Sequence, residues 1–452
     1  MSSHLISRHK LLLCLVVLFS LLTRFWRLQL PAKTYFDEAY HVPAARLIAN
    51  NDERAYEWWH QPIVGEDYHD WLHPPLVKLI QASSIRLFGD NSLGWRIPSA
   101  VFGVLLILAI YSFSYQLFRT FYSKAQSRKI ALLSCALATL DGLVLVQSRI
   151  AMNDIFVCFW MIVALFLATA WQPKMWLLKL DRFKQKEKET SRHSNVYLLA
   201  TGIILGLALA SKWSAILLML AILTLTVSGA LASRMFKSLP LIFFSLFLLP
   251  IFIYFLSYSQ MFAQGKDINY FFRLHEQILW YQTNRDTNHN YSSLPHQWLL
   301  NNRPVWYWTD DHNDSVDESQ KANIYALGNP VIQVLALFAL IYRLGELVIC
   351  WNHEKKLSFK LSTLLLFMAL WLPWILSPRI IFYHLYLPAF LILNLILSDI
   401  LIDVILRKSS KAFWLIIMLV VISFIIFYPH WIGIAVDKQI VERVYYAFPS
   451  WK

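Results

Sequence analysis

The chain has 452 residues, of which 57% are hydrophobic and only 15% charged, with a formal charge of +13 at pH 7. That balance excludes a soluble protein, and the confinement of the basic residues to short connections excludes nucleic-acid binding, which needs an extended basic face with interleaved aromatics. Four cysteines, Cys14, Cys135, Cys158 and Cys350, stand in apolar stretches without C-x-x-C spacing, so neither a disulfide framework nor a zinc site is indicated.

In chain order, apolar runs long enough to cross about 30 Å of hydrocarbon fall at 10–30, 94–118, 130–147, 151–171, 196–211, 213–232, 239–259, 328–349, 361–377, 380–405 and 412–431. The first has no small-residue cleavage site after it and reads as a retained span rather than a signal peptide. The two runs flanking Lys212 read either as two spans or as one long bent segment. Basic connections at 119–129, 179–193, 234–237, 353–360 and 407–411 are the cytoplasmic loops under the positive-inside rule. The lysine-glutamate run at 184–189 is read as a solvated face of one of them. The expected fold is an all-α polytopic membrane protein of about eleven transmembrane helices. Its N-terminus is cytoplasmic, and two large loops, about 31–93 and 260–327, are extracytoplasmic. The expected division is 1–259, 260–327 and 328–452.

Long loops in a compact protein tend to carry function, and the first opens with adjacent carboxylates, Asp37 and Glu38. At a membrane boundary such a group stays partly hydrated while apolar surface raises its pKa, which suits a general base. The alternative is a pair of carboxylates at the start of an interfacial helix. Further along come His73 and Lys78 in "LHPPLVKL", Arg96 at the mouth of the second span, and Arg149 and Asp154 in the short outer turn between the third and fourth. Lys212, Arg379 and His384 fall on the same side. Each cation alone can be read as snorkelling to the interface, but as a set they suit a phosphate whose lipid tail stays in the bilayer. Trp306 and Trp308 either line a sugar or peptide groove or belong to an interfacial aromatic belt. Asp37, Glu38, His41 and His73 lack any tight metal-ligand spacing, so no metal is assigned.

The order of "FDEAYHVPAARLIA", "HPPLVKL", "LGWRIPSA", "SRIAMNDIF", "LALASKWSAIL", "NRPVWYW", "ALGNPVIQ" and "RIIFYHLYLPAFLIL" resembles that of the protein O-mannosyltransferase family, enzymes of the GT-C glycosyltransferase superfamily. The resemblance covers nearly the whole chain. It implies a GT-C fold and transfer of mannose from a polyprenyl-phosphate-mannose donor to Ser/Thr hydroxyls of secreted polypeptides. The site would face outward from a plasma (inner) membrane, with the secretion machinery as a candidate partner. Within it, Asp37 corresponds to the family's loop aspartate and would deprotonate the acceptor, and Glu38 would help orient the acceptor. Arg96 and Lys212 would hold the donor phosphate, and the reaction would be a single inverting displacement. The second outer loop is too short for the MIR domain of eukaryotic members, which implies a compact prokaryotic-type enzyme, and His41 departs from the usual spacing after Asp-Glu. Two other readings remain: a GT-C enzyme that modifies a lipid or wall glycan from an undecaprenyl-phosphate sugar, and a transporter. The latter would carry polar residues near the midplane and inverted repeats.

Overall fold

Helices occupy each of the apolar runs read from the sequence. The structure, a computed structural model, describes residues 2–60, 68–171, 192–232, 234–284, 289–310, 319–349 and 357–452. The run at 184–189 and Cys350 lie outside them. The first half contains α1 (Ser2–Phe25), α2 (Glu38–Ala49), α3 (Leu76–Phe88), α4 (Ser92–Phe118), α5 (Lys124–Thr139), α6 (Gly142–Gln147), α7 (Asp154–Trp171), α8 (Arg192–Ser211) and α9 (Ala215–Ala232). Among the described residues, seven helical segments are long and apolar enough to cross a membrane: α4, α7, Phe236–Leu256, Pro330–Ile349, Phe359–Leu376, Tyr383–Lys408 and Ser410–Ile432. Shorter apolar helices cover Asn195–Ser211 and Ala215–Leu231, so the chain turns at Lys212 rather than running through as one segment.

Apolar on nearly every face, Tyr383–Lys408 is the most enclosed of these helices, as an all-round hydrophobic pattern requires. α4 packs on α5 and α7, and α7 on α8. The helix Ser410–Ile432 instead leaves Trp414, Leu415, Met418 and Ile425 exposed, a surface suited to lipid.

The run expected at 130–147 breaks between α5 and α6. Asp141 caps α6 by accepting from the Val144 amide at 3.1 Å, and its other oxygen accepts from the Asn329 amide at 2.9 Å. The Asn329 side chain donates to the Leu140 and Val420 carbonyls at 3.1 and 3.2 Å. At the preceding Gly328 a Cβ would come within 2.4 Å of the Gln333 side-chain amide, which would have to move to admit a larger residue. This knot joins the first half of the molecule to the second.

The two long loops touch: Tyr270 Oη donates to the Tyr56 carbonyl at 2.8 Å, and Gln260 Nε2 to the Ile48 carbonyl at 3.1 Å. α2 packs against α3, which begins just after the Pro74-Pro75 turn. The second loop adds strands to a mostly helical chain: β1 (Val305–Thr309), β2 (Gln320–Lys321) and β3 (Asn323–Ala326), while β4 (Val436–Asp437) follows the last long helix. β1 pairs antiparallel with β3 and β2 with β4. The aromatic and β-branched residues of "VWYW" favour a strand. Trp451 Nε1 donates to the Asn301 carbonyl at 2.7 Å, so the segment after the last long helix folds back onto the second loop.

Candidate active site

Successive residues at a helix start point about 100° apart, and this separates the two adjacent carboxylates. Glu38, the first residue of α2, points inward and is 0% exposed. Its Oε1 accepts from Arg96 Nε at 2.8 Å and from the Ala151 amide at 2.9 Å, and its Oε2 accepts from Arg96 Nη2 at 2.8 Å. Arg96 spends its remaining donors on the carbonyls of Leu28, Pro31 and Lys33, at 3.2, 2.6 and 3.0 Å. Asp37 occupies the N-cap position of α2, yet its side chain makes no capping hydrogen bond. Its carboxyl remains available on a half-buried surface.

Four groups surround Asp37 electrostatically: His41, Lys212, Asp154 and Asp70. His41 lies one turn along α2, its amide donating to the Asp37 carbonyl at 3.0 Å. Burial pushes the Asp37 carboxyl above its ordinary value, against the pull of His41 and Lys212. Lys212 reaches across from the turn between α8 and α9 to Asp154 at the start of α7, donating to both carboxylate oxygens at 2.8 and 3.0 Å.

Asp70 is a second hub. Its carboxylate lies 3.0 Å from His73 Nδ1, 3.1 Å from His41 Nδ1 and 3.2 Å from Lys78 Nζ. Burial raises the Asp70 pKa, but Lys78, His73 and His41 together outweigh it and hold the carboxyl well below the usual range. Burial also pushes the His73 imidazole down to about 4, although Asp70 pulls it up. Lys78 also donates to the His73 carbonyl at 2.8 Å and to the Asp70 carbonyl, which fixes the "HPPLVK" turn. Among the described residues, His41, Asp70 and His73 have ligand atoms within 4.8 Å of one another, the spacing a metal would need. The buried Lys78 ammonium already supplies positive charge to that carboxylate.

The structure therefore gathers Asp37, His73, Lys78, Asp154, Lys212, Arg379 and His384 and sets the other predicted residues apart. Expected at the donor phosphate, Arg96 is instead enclosed with Glu38, because a buried guanidinium needs acceptors for all its N–H groups. The same enclosure keeps Glu38 from the surface an acceptor would approach. Arg149 donates to the carbonyls of Thr23, Arg24, Trp26 and Arg27, at 3.2, 2.7, 2.9 and 3.2 Å, and so closes the end of α1, whose last carbonyls lack helical partners. Arg379 and Lys212 both lie within electrostatic reach of the buried His384. Trp306 rests near Tyr291, ring centroids 6.2 Å apart, and Trp308 lies against Gly433, where a Cβ would come within 3.2 Å of the indole. It is Tyr307, between them, that reaches the Asp37 turn, stacking on Phe36 at 4.0 Å. Asp70 and Tyr307 were not singled out from the sequence. The three-residue spacing from Asp70 to His73 is a signal for the first.

The family model described as dolichyl-phosphate-mannose-protein mannosyltransferase matches residues 14–263, and that of the C-terminal four TMM region of protein-O-mannosyltransferase matches residues 267–451. The polyprenol-phosphate-mannose–protein mannosyltransferase of Corynebacterium glutamicum is 26% identical over 97% of this chain and 92% of its own. That of Mycobacterium tuberculosis is 25% identical over 97% and 91%. Among solved structures, the Saccharomyces cerevisiae protein O-mannosyltransferase Pmt1-Pmt2 complex bound to the sugar donor superposes with a TM-score of 0.76 at 14% identity, over 97% of this chain and 92% of that one. ArnT from Cupriavidus metallidurans bound to undecaprenyl phosphate gives 0.56 at 14% identity, over 92% and 63%. These structural likenesses establish a GT-C fold, and with the first family model alone covering more than half of its length, the chain belongs to the dolichyl-phosphate-mannose-protein mannosyltransferase family.

Proposed function

We propose that this protein transfers a mannosyl residue from a polyprenyl-phosphate-mannose donor to Ser or Thr hydroxyls of polypeptides at the extracytoplasmic face of the plasma membrane, by a single inverting displacement. The observation that carries this reading is the unspent Asp37 carboxyl, beside Lys212, where the outer loops meet the membrane helices. The full-length relatives are named for a polyprenol-phosphate-mannose donor and a protein acceptor. Asp37 takes the proton of the acceptor hydroxyl as its oxygen attacks the anomeric carbon. The bond from that carbon to the phosphate oxygen breaks, and the polyprenyl phosphate leaves with the electron pair. A raised carboxyl pKa strengthens the base, provided it stays ionised at working pH.

Lys212 neutralises charge on the leaving phosphate. An ammonium has three donors, and two face Asp154, so one remains for a phosphate oxygen. Arg379 and His384 flank the same space. Glu38 and Arg96 act as the scaffold that fixes the Asp37 turn, and Arg149 and Lys78 fix neighbouring segments. Lys78, rather than a divalent ion, serves the Asp70 cluster. On the extracytoplasmic face, the secretion machinery would present the acceptor before it folds.

The test offers labelled polyprenyl-phosphate-mannose and a Ser/Thr-rich peptide to purified membranes carrying the wild type or Asp37→Asn. Mannosyl-peptide from the wild type, lost in the variant with donor binding retained, supports both reaction and base. Label entering a lipid or glycan fraction instead overturns the acceptor class, and wild-type rates in Asp37→Asn overturn the base.

A further inference from the structure

The second outer loop reaches the Asp37 turn at an irregularity in its own hairpin. Along β1 and β3 the paired residues run Val305 with Ala326, Trp306 with Tyr325, Trp308 with Ile324 and Thr309 with Asn323. Tyr307 is therefore the extra residue of a β-bulge. Bulges re-aim a side chain and are common beside active sites. Tyr307 lies on the buried face of β1 with Val305 and enters the first half of the molecule at this bulge. Its hydroxyl accepts from Gln147 Nε2 at 2.6 Å, at the end of α6. Its ring stacks on Phe36 with centroids 4.0 Å apart and planes at 18°.

Phe36 is the residue before Asp37, and its backbone lies in the left-handed region at φ 51°, which a bulky aromatic residue seldom adopts. Such a conformation persists only where its surroundings over-determine it. The Phe36 carbonyl accepts from the Ala39 amide at 3.1 Å, so this backbone also sets the entry into α2. The His384 ring also lies near Phe36, nearly perpendicular to it, with centroids 6.3 Å apart.

We propose that Tyr307 is a positioning residue for Asp37: its ring, stacked on Phe36, holds the left-handed turn that aims the carboxyl at the acceptor hydroxyl, the hydrogen bond from Gln147 adding little. The catalytic geometry of the first half is thus completed by a side chain of the second. This rests on Asp37 as the base.

The test compares Tyr307→Phe, which keeps the ring and loses the tether, with Tyr307→Leu, which keeps apolar volume and loses the flat stack, in the peptide mannosylation assay. A small misplacement of a catalytic group costs up to about 10²-fold. Tyr307→Leu is expected to lower kcat by about ten- to a hundredfold with donor KM within about twofold, and Tyr307→Phe to stay within about threefold of wild type. Phe36→Gly removes the stacked partner and adopts a positive φ freely. Adding Tyr307→Leu to it is expected to cost nothing further, because residues acting through one contact are not additive. A kcat near wild type in Tyr307→Leu overturns the proposal. So does a loss confined to donor KM, an equal loss in Tyr307→Phe, or multiplicative losses in the double variant. Asp37→Asn in the same assay tests the base separately: if it stays active that reading fails, while the coupling of Tyr307 to Phe36 is still read from the cycle.

Discussion

Two buried ion pairs flank the Asp37 turn, and they are built to opposite ends. Glu38 and Arg96 are both 0% exposed, and every donor of the guanidinium meets an acceptor, either the Glu38 carboxylate or a carbonyl of the segment after α1. Lys212 and Asp154 meet only through one carboxylate, at 2.8 and 3.0 Å, and face the same space as Asp37. The first pair is closed and shapes the backbone. The second keeps a donor in reserve. Burial and charge alone do not distinguish them; the count of satisfied hydrogen-bonding groups does.

Breaking the closed pair has the largest expected effect. Glu38→Gln leaves Arg96 charged and poorly matched, and breaking a buried pair costs about 3–5 kcal/mol. Thermal unfolding of the detergent-purified protein is expected to shift strongly downward, and transfer to vanish with it. An unchanged melting temperature would erase the distinction. Asp37→Asn, one residue away, is expected to melt like the wild type while kcat falls about 10²–10⁴-fold, the range for loss of a general base. Lys212→Met is expected to lower kcat by about 10²–10³-fold, as loss of one charge-stabilising donor does, with Lys212→Arg restoring part of it.

The pH profile sharpens the contrast. As the proposed base Asp37 has to be ionised, and burial raises its pKa above the ordinary 3.8, so kcat is expected to fall as pH drops through that raised value. The acid limb is expected above the ordinary aspartate range; a limb at or below it would mean a solvated carboxyl. The smallest effect is expected from metal removal. Dialysis against EDTA leaves transfer unchanged if Lys78 serves the Asp70 cluster, whereas loss restored by a divalent ion would assign His41, Asp70 and His73 as its ligands.

Much of this was legible in the sequence because it depends on local pattern. Apolar run length placed helices on all the predicted apolar runs, and the Asp-Glu pair marked the start of α2. What did not show is which partner each charge takes. Arg96 and Arg149 look alike as outer cations, yet one seals Glu38 and the other closes α1 through carbonyls that no side-chain pattern reveals. The period of a strand puts Trp306 and Trp308 on one face and Tyr307 on the other. Only the fold shows that this face meets Phe36 and that β1 is bulged at Tyr307.

The knot at Asp141 bears on how the protein is made. Its carboxylate is placed in an apolar interior early in synthesis, but one of its amide partners, Asn329, follows 188 residues later. Until that segment is inserted, the break between α5 and α6 holds a polar group lacking its final partner, a costly state in lipid. A gene divided between the two family regions would therefore yield a first fragment that matures only when the second is present in the same bilayer.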